Sequence, residues 1–169
     1  MKILTLVRHA KSSWNHPGLS DKERPLNSRG KRDAPVMAER ITEHGIRPSL
    51  ILTSPAVRAK STAKIIAQKI AYPLEFLQQE SSLYLASVNT LLDVLVAQDV
   101  GFNSIMLVGH NPGLTEFANF LVPGITDNLP TAGVVSVNID QDNWMLYEQP
   151  KTELIVFDYP KLGEAVSTQ

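Results

Sequence analysis

The order of apolar and polar positions along the chain alternates between strand-like and helix-like segments. Residues 2–7 form a mostly apolar run that stops at Arg8-His9 and predicts a buried strand. Asn27, a capping-type residue, opens a helical pattern reaching about His44, with Ala34, Met37, Ala38 and Ile41 on one face. Pro35 falls inside that pattern and is expected to kink the helix or shift its start. "SLILTS" (49–54) predicts a second strand. Ser54-Pro55 then reads as a helix cap followed by proline at the first helical position. The next helix would bury Ala59, Thr62, Ala63, Ile66, Ala67 and Ile70.

"LEFL" (74–77) is a short strand candidate, and Val88, Leu91, Leu92, Leu95 and Val96 mark another amphipathic helix. "SIMLVG" (104–109) predicts a third buried strand ending at His110. Asn111-Pro112 repeats the cap-plus-proline device, and Leu114, Phe117, Ala118 and Leu121 follow at helix spacing. After Pro123-Gly124 come three β-type runs, "VVSVNI", "WMLYE" and "ELIVF", the last two able to pair as a hairpin. Strands alternating with helices predict an α/β protein, a three-layer α/β/α sandwich with a mainly parallel but mixed sheet. No repeat or linker divides the chain, so residues 1–169 are expected to form one domain.

Composition removes several classes of function. The chain has no cysteine, which excludes disulfides, thiolate zinc sites and a cysteine nucleophile. No apolar run approaches the ~20 residues of a membrane span, and the N-terminus reads as a strand, not a signal peptide. A cytoplasmic location is the default expectation. Net charge is −1, but it is unevenly distributed. Residues 1–60 hold twelve Lys and Arg against five Asp and Glu, and the remainder four against twelve. The basic first third suggests an anion site. Nucleic acid is a weaker partner, because the basic residues are not interleaved with aromatics and the balance is acidic.

The three central apolar runs each end in polar residues: Arg8-His9, Thr53-Ser54-Pro55, and Gly109-His110-Asn111. In open α/β sheets, ligands bind beyond the carboxyl ends of the strands. If the three strands are parallel neighbours, Arg8, His9 and His110 converge with Arg58, four residues past Ser54. Two helix N-termini would point to the same place and favour an anion. Two histidines with two arginines suit a phosphoryl group: arginine matches its oxygens with a rigid fork of donors, and neutral imidazole can attack phosphorus. Zinc is the rival reading, since the chain has four histidines, but His16 and His44 lack strand-end positions and no metal site is expected. Blander readings remain open here. His9 could be a hydrogen-bonded core residue, Arg58 a surface ion-pair partner, and Arg24 and Asp21 a simple salt bridge. Trp14 and Trp144 are expected to be packing residues.

The stretches "LVRHAKSSWN", "RPLNSRG", "LTSPAVRAKSTA" and "VGHNPG" resemble the histidine phosphatase superfamily, which has the phosphoglycerate mutase-like fold. Within it, "RHAKSSW", "RPLNSRGKRDAP" and "GHNPGL" are similar to the small SixA-like phosphohistidine phosphatases. The resemblance implies that His9 is a nucleophile that becomes transiently phosphorylated. Arg8, Arg58 and His110 would hold the phosphoryl oxygens, with no metal or other cofactor. It further implies substrate-side roles for Arg24 and Asp21, phosphate contacts from Asn15 and Ser12, and a place for Asn111 on the substrate-binding side. The implied partner is phosphate or a protein carrying phosphohistidine.

Two departures from the mutase pattern matter. Ala10-Lys11 stands where mutases carry Gly-Glu. The region expected to supply a proton-donating carboxylic acid, "LYLASVNTLLDVL", has none before Asp93, while Glu80 lies upstream. An alkoxide leaving group needs such an acid; protonated phosphohistidine releases neutral imidazole and needs less help. The gap favours P–N over P–O substrates. Phosphatases for small phosphate esters or phosphoramidates, and a non-catalytic phosphate-binding module, are the alternatives.

Overall fold

The computed structural model describes residues 1–162. Six strands form one sheet in the order β3-β2-β4-β1-β5-β6. They are β1 (Lys2–Arg8), β2 (Leu50–Thr53), β3 (Gln78–Gln79), β4 (Ser104–Gly109), β5 (Val134–Ile139) and β6 (Thr152–Asp158). The helices are α1 (Ser28–Glu43), α2 (Val57–Lys69), α3 (Val88–Val96) and α4 (Gly113–Leu121). β1, β2, β3 and β4 run parallel, whereas β5 is antiparallel to both β1 and β6, so the sheet is mixed.

Side-chain alternation along the strands builds two cores. Leu4, Leu6, Leu50, Leu52, Ile105 and Leu107 face one way and pack with α3 and α4. Val7, Ile51, Met106, Val108 and Val134 face the other way and pack with α1 and α2. β2 and β4 are buried at every position, as expected of parallel strands covered on both faces. Each of these aliphatic side chains contributes roughly 1.5–3 kcal/mol by leaving water. The result is the three-layer α/β/α arrangement that the sequence predicts.

Several local expectations are corrected. The Ser54-Pro55 step does not start α2: Ala56 is its N-cap, without a side-chain cap bond. The Ser54 hydroxyl instead accepts from the Ala56 N–H at 3.2 Å, closing a tight turn that delays the helix. Likewise α4 starts one residue late, after a cis Asn111-Pro112 peptide, though Asn111 Oδ1 still accepts from the Thr115 N–H at 3.2 Å. Leu74–Phe76 is a 3-10 turn and not a strand, because Phe76 and Leu77 donate back to Pro73 and Leu74; the edge strand follows it. "WMLYE" alternates buried and exposed positions but has no ladder partner among the described residues. Trp144 and Leu146 tuck into the core, with Trp144 Nε1 donating to the Phe102 carbonyl at 2.8 Å, while β5 pairs with β6. Helix α1 continues through Pro35 and keeps its start, fixed by Asn27 Oδ1 accepting from the Gly30 N–H at 2.8 Å. No helix among the described residues is long and apolar enough to cross a membrane.

Candidate active site

The sheet register sets the site. Arg8 lies opposite Gly109 and Thr53 opposite Val108, so β1, β4 and β2 end at one level. The ladder runs one residue further on both sides: His9 N–H donates to the Gly109 carbonyl and Ser54 N–H to the Val108 carbonyl, each at 3.0 Å. His9, Ser54 and His110 are thereby held side by side at the carboxyl edge. Behind them the loop after His9 is fixed by the Ala10 N–H donating to Thr62 Oγ1 at 2.9 Å. Gly30 of α1 permits the same loop to pass close by, since a Cβ there would sit 2.1 Å from the Lys11 carbonyl oxygen.

His9 and His110 are buried, with ring centroids 5.2 Å apart. His9 Nδ1 lies 2.8 Å from the Ala10 carbonyl oxygen. A carbonyl only accepts, so Nδ1 carries the proton and Nε2 is the lone-pair nitrogen. Burial pushes the His9 pKa down to about 3, against the opposing pull of the Ala10 carbonyl, and the neighbouring His110, Arg58 and Arg8 disfavour a second cation there. His9 is therefore neutral at pH 7. His110 is lowered to about 4, first by burial and then by Arg58. Arg58 Nη2 approaches His110 Nδ1 at 3.4 Å, which makes Nδ1 the acceptor and leaves Nε2–H to donate to Ser54 Oγ at 2.7 Å.

Two arginines surround the imidazoles. Arg58 is 3% exposed; its Nη1 and Nη2 donate to the backbone carbonyl and Oδ2 of Asp21 at 2.7 and 2.9 Å. Arg8 Nη1 donates to the Leu129 carbonyl at 2.9 Å. The Nε atoms of both arginines are buried with no acceptor among the described residues. Burial lowers the Arg8 pKa, with Arg58 adding to the effect. Buried guanidinium N–H groups without acceptors are costly unless an anionic ligand completes them.

The remaining predicted residues fall into two groups. Arg24 joins the cluster: it donates to Asp21 Oδ1 from Nε and Nη2 at 3.2 Å each, and to Ser12 Oγ at 2.8 Å. Ser12 is thus an orienting partner of Arg24. Asn15 is exposed and makes no side-chain hydrogen bond among the described residues. Asn111 uses its side chain to tie the loop at Asn128 and Leu129 to α4, through bonds of 3.1 and 2.9 Å from Nδ2. That is the same Leu129 whose carbonyl receives Arg8, so Asn111 steadies Arg8 indirectly. Glu80 and Asp93 are engaged elsewhere, Glu80 capping Ser82 and Asp93 accepting from the Tyr147 hydroxyl. His16 and His44 are exposed, and no cluster of three His, Asp or Glu residues suited to a metal occurs among the described residues.

Sequence reasoning missed two participants. Tyr84 donates its hydroxyl to Asp21 Oδ2 and lies edge-on to His110, with centroids 5.4 Å apart. It follows a 3-10 turn, in a segment without periodicity to single it out. Trp14 is 74% exposed and stacks on the Arg24 guanidinium at 3.6 Å, instead of packing into the core. Trp144 does pack there, at 1% exposure.

The fold agrees with what known proteins show. A family model described as the histidine phosphatase superfamily (branch 1) matches residues 4–79. An uncharacterized Picosynechococcus protein is 30% identical over 138 residues, covering 79% of this chain and 83% of the relative. An uncharacterized chloroplastic protein of Arabidopsis thaliana is 28% identical, over 83% of this chain and 68% of its own length. The chain belongs to the histidine phosphatase superfamily. Within it the chain is SixA-like. The crystal structure assigned as the phosphohistidine phosphatase SixA of Agrobacterium tumefaciens superposes with TM-score 0.79 and 28% identity, over 94% of this chain and 98% of the other. A protein histidine phosphatase SixA in complex with tungstate shares the fold at TM-score 0.77 and 22% identity, over 94% and 97% of the two chains.

Proposed function

We propose that this chain is a phosphohistidine phosphatase working through a phosphorylated His9, with phosphohistidine on a protein as its substrate. The observation that carries this reading is the state of His9: neutral, with Nδ1 bonded to the Ala10 carbonyl and the Nε2 lone pair available beside Arg8, Arg58 and His110. In the first step Nε2 attacks phosphorus, a new N–P bond forms and the bond to the leaving group breaks. A substrate imidazole protonated on its other nitrogen departs neutral and keeps that proton. Water then attacks phospho-His9, the N–P bond breaks, inorganic phosphate leaves and His9 is restored. Arg8 and Arg58 supply positive charge for the phosphoryl oxygens in both steps, so no metal is required. His110 takes up a proton when a phosphoryl dianion arrives, because the anion's charge counters the burial and the Arg58 repulsion that lower its pKa; Nδ1–H then donates to a phosphoryl oxygen.

The leaving-group preference rests on Asp21, the carboxylate that reaches the cluster. The Tyr84 hydroxyl, then Arg58 and Arg24, hold its pKa down at about 2. It is ionised at working pH and has no proton to give an alkoxide, which favours a P–N substrate. The rim favours a protein. Trp14 is exposed against Arg24, and Leu19 and Leu85, also exposed, stand within two residues of Asp21 and Tyr84 in the sequence, apolar surface suited to a macromolecular partner. The decisive comparison is kcat/KM for a phosphohistidine protein against alkyl and aryl phosphates. A P–N substrate is expected to lead alkyl esters by at least ~100-fold. Faster turnover of alkyl esters would make the protein a small-ester phosphatase, and phosphate binding without turnover of any substrate would make it a binding module.

A further inference from the structure

Asp21 reaches the cationic cluster from an exposed turn. Its Oδ2 accepts from Arg58 Nη2 at 2.9 Å and from the Tyr84 hydroxyl, while Oδ1 accepts twice from Arg24. With the Asp21 carbonyl also taking Nη1, both Nη groups of Arg58 are engaged by this one residue. A phosphoryl group has the same requirement, oxygens set for a guanidinium fork. Carboxylate and phosphoryl group therefore compete for Arg58.

The surroundings decide which partner can give way. Arg58 stands on the second residue of α2 and is 3% exposed. Asp21 stands on a three-residue 3-10 turn, none of it buried, and its side chain is 43% exposed. The turn can withdraw more easily than the helix. Arg24 and Tyr84 remain to receive the carboxylate after it releases Arg58, so it is never left without donors.

We infer that Asp21 is a positioning residue that serves as an exchangeable counter-ion. It holds Arg58 while the site is empty, cedes it to phosphoryl oxygens, and reclaims it as inorganic phosphate departs. This rests on the reading of the site as a phosphoryl site. Tyr84 sets the balance, because its O–H draws charge from the oxygen that Arg58 uses. Removing the carboxylate charge and removing the phenol should then act in opposite directions on phosphate affinity.

Calorimetric titration of inorganic phosphate into the unaltered protein, Asp21→Asn and Tyr84→Phe at pH 7 tests this. In Asp21→Asn the Kd is expected to fall about 10-fold, since a competing charge is gone. KM and kcat for an aryl phosphate should fall together as product lingers. In Tyr84→Phe the freed carboxylate grips Arg58 harder and the Kd should rise about threefold. An Asp21→Asn protein binding phosphate equally or more weakly, while the unaltered protein binds it, overturns the exchange alone: Asp21 would merely prop Arg58. A fall in Kd for Tyr84→Phe contradicts it as well. Unaltered protein that takes up no phosphate overturns the phosphoryl-site reading, and the exchange with it.

Discussion

The rings of His9 and His110 lie 5.2 Å apart, tilted by 54°, yet each is held by its own acceptor, His9 by the Ala10 carbonyl and His110 by Ser54 Oγ. They are buried as two neutral imidazoles, with pKa values near 3 and 4. In the unfolded chain both would titrate near ~6.5. Below that pH the unfolded state binds protons that the native state refuses, so stability falls as pH drops from 6.5 toward 4. The thermal midpoint is expected to decline over this window, and the slope to shrink in His110→Asn. A midpoint unchanged between pH 7 and 4.5 would contradict the buried neutral pair.

Arg58 connects Asp21 to His110 and carries a buried Nε without an acceptor among the described residues. Its fork of donors cannot be reproduced by an ammonium. Arg58→Lys is expected to lower kcat/KM for an aryl phosphate by about 10²-fold, and Arg58→Ala by 10²–10³-fold or more. Steady-state kinetics of both variants check this; near-normal activity in Arg58→Lys would remove Arg58 from phosphoryl stabilisation.

Gly30 lets α1 press against the loop that follows His9. A methyl group there would meet the Lys11 carbonyl oxygen at 2.1 Å and its backbone nitrogen at 3.0 Å. Neither is the end of a flexible side chain, so backbone must move. Gly30→Ala is expected to destabilise the protein by about 2 kcal/mol and to lower activity through displacement of His9, despite its distance from the chemistry. Denaturant unfolding and kcat together test the coupling.

Trp14 covers Arg24 with one face and leaves most of its surface in water. If the rim docks a protein, Trp14→Ala should raise KM for a phosphohistidine protein by about 10-fold and by much less for an aryl phosphate. Equal losses on both substrates would restrict Trp14 to supporting Arg24.

The central site was legible because its residues follow apolar strands. The runs ending at Arg8-His9, Thr53-Ser54 and Gly109-His110 need only be parallel neighbours for their ends to meet, and β2, β4 and β1 are. Helix α1 was readable to its cap, since Asn27 and the buried stripe Ala34, Met37, Ala38 and Ile41 are local features. The errors arose where short-range signals met competing partners. Ser54 has a capping side chain, but its oxygen serves the Ala56 N–H and His110, so the helix starts later. "WMLYE" alternates like a strand because Trp144 and Leu146 reach into the core from a connection. Tyr84 and Trp14 act through long-range contacts with Asp21 and Arg24, which leave no periodic mark in the sequence.

The most direct test is to look for phosphate on His9. Protein mixed with a labelled phosphohistidine substrate and quenched within milliseconds in alkali should carry an acid-labile phosphoryl group mapped to His9 by peptide analysis. His9→Ala should carry none and lose turnover by at least ~10³-fold. Turnover with no label at His9 under those conditions, or a His9→Ala protein with undiminished activity, would contradict the account.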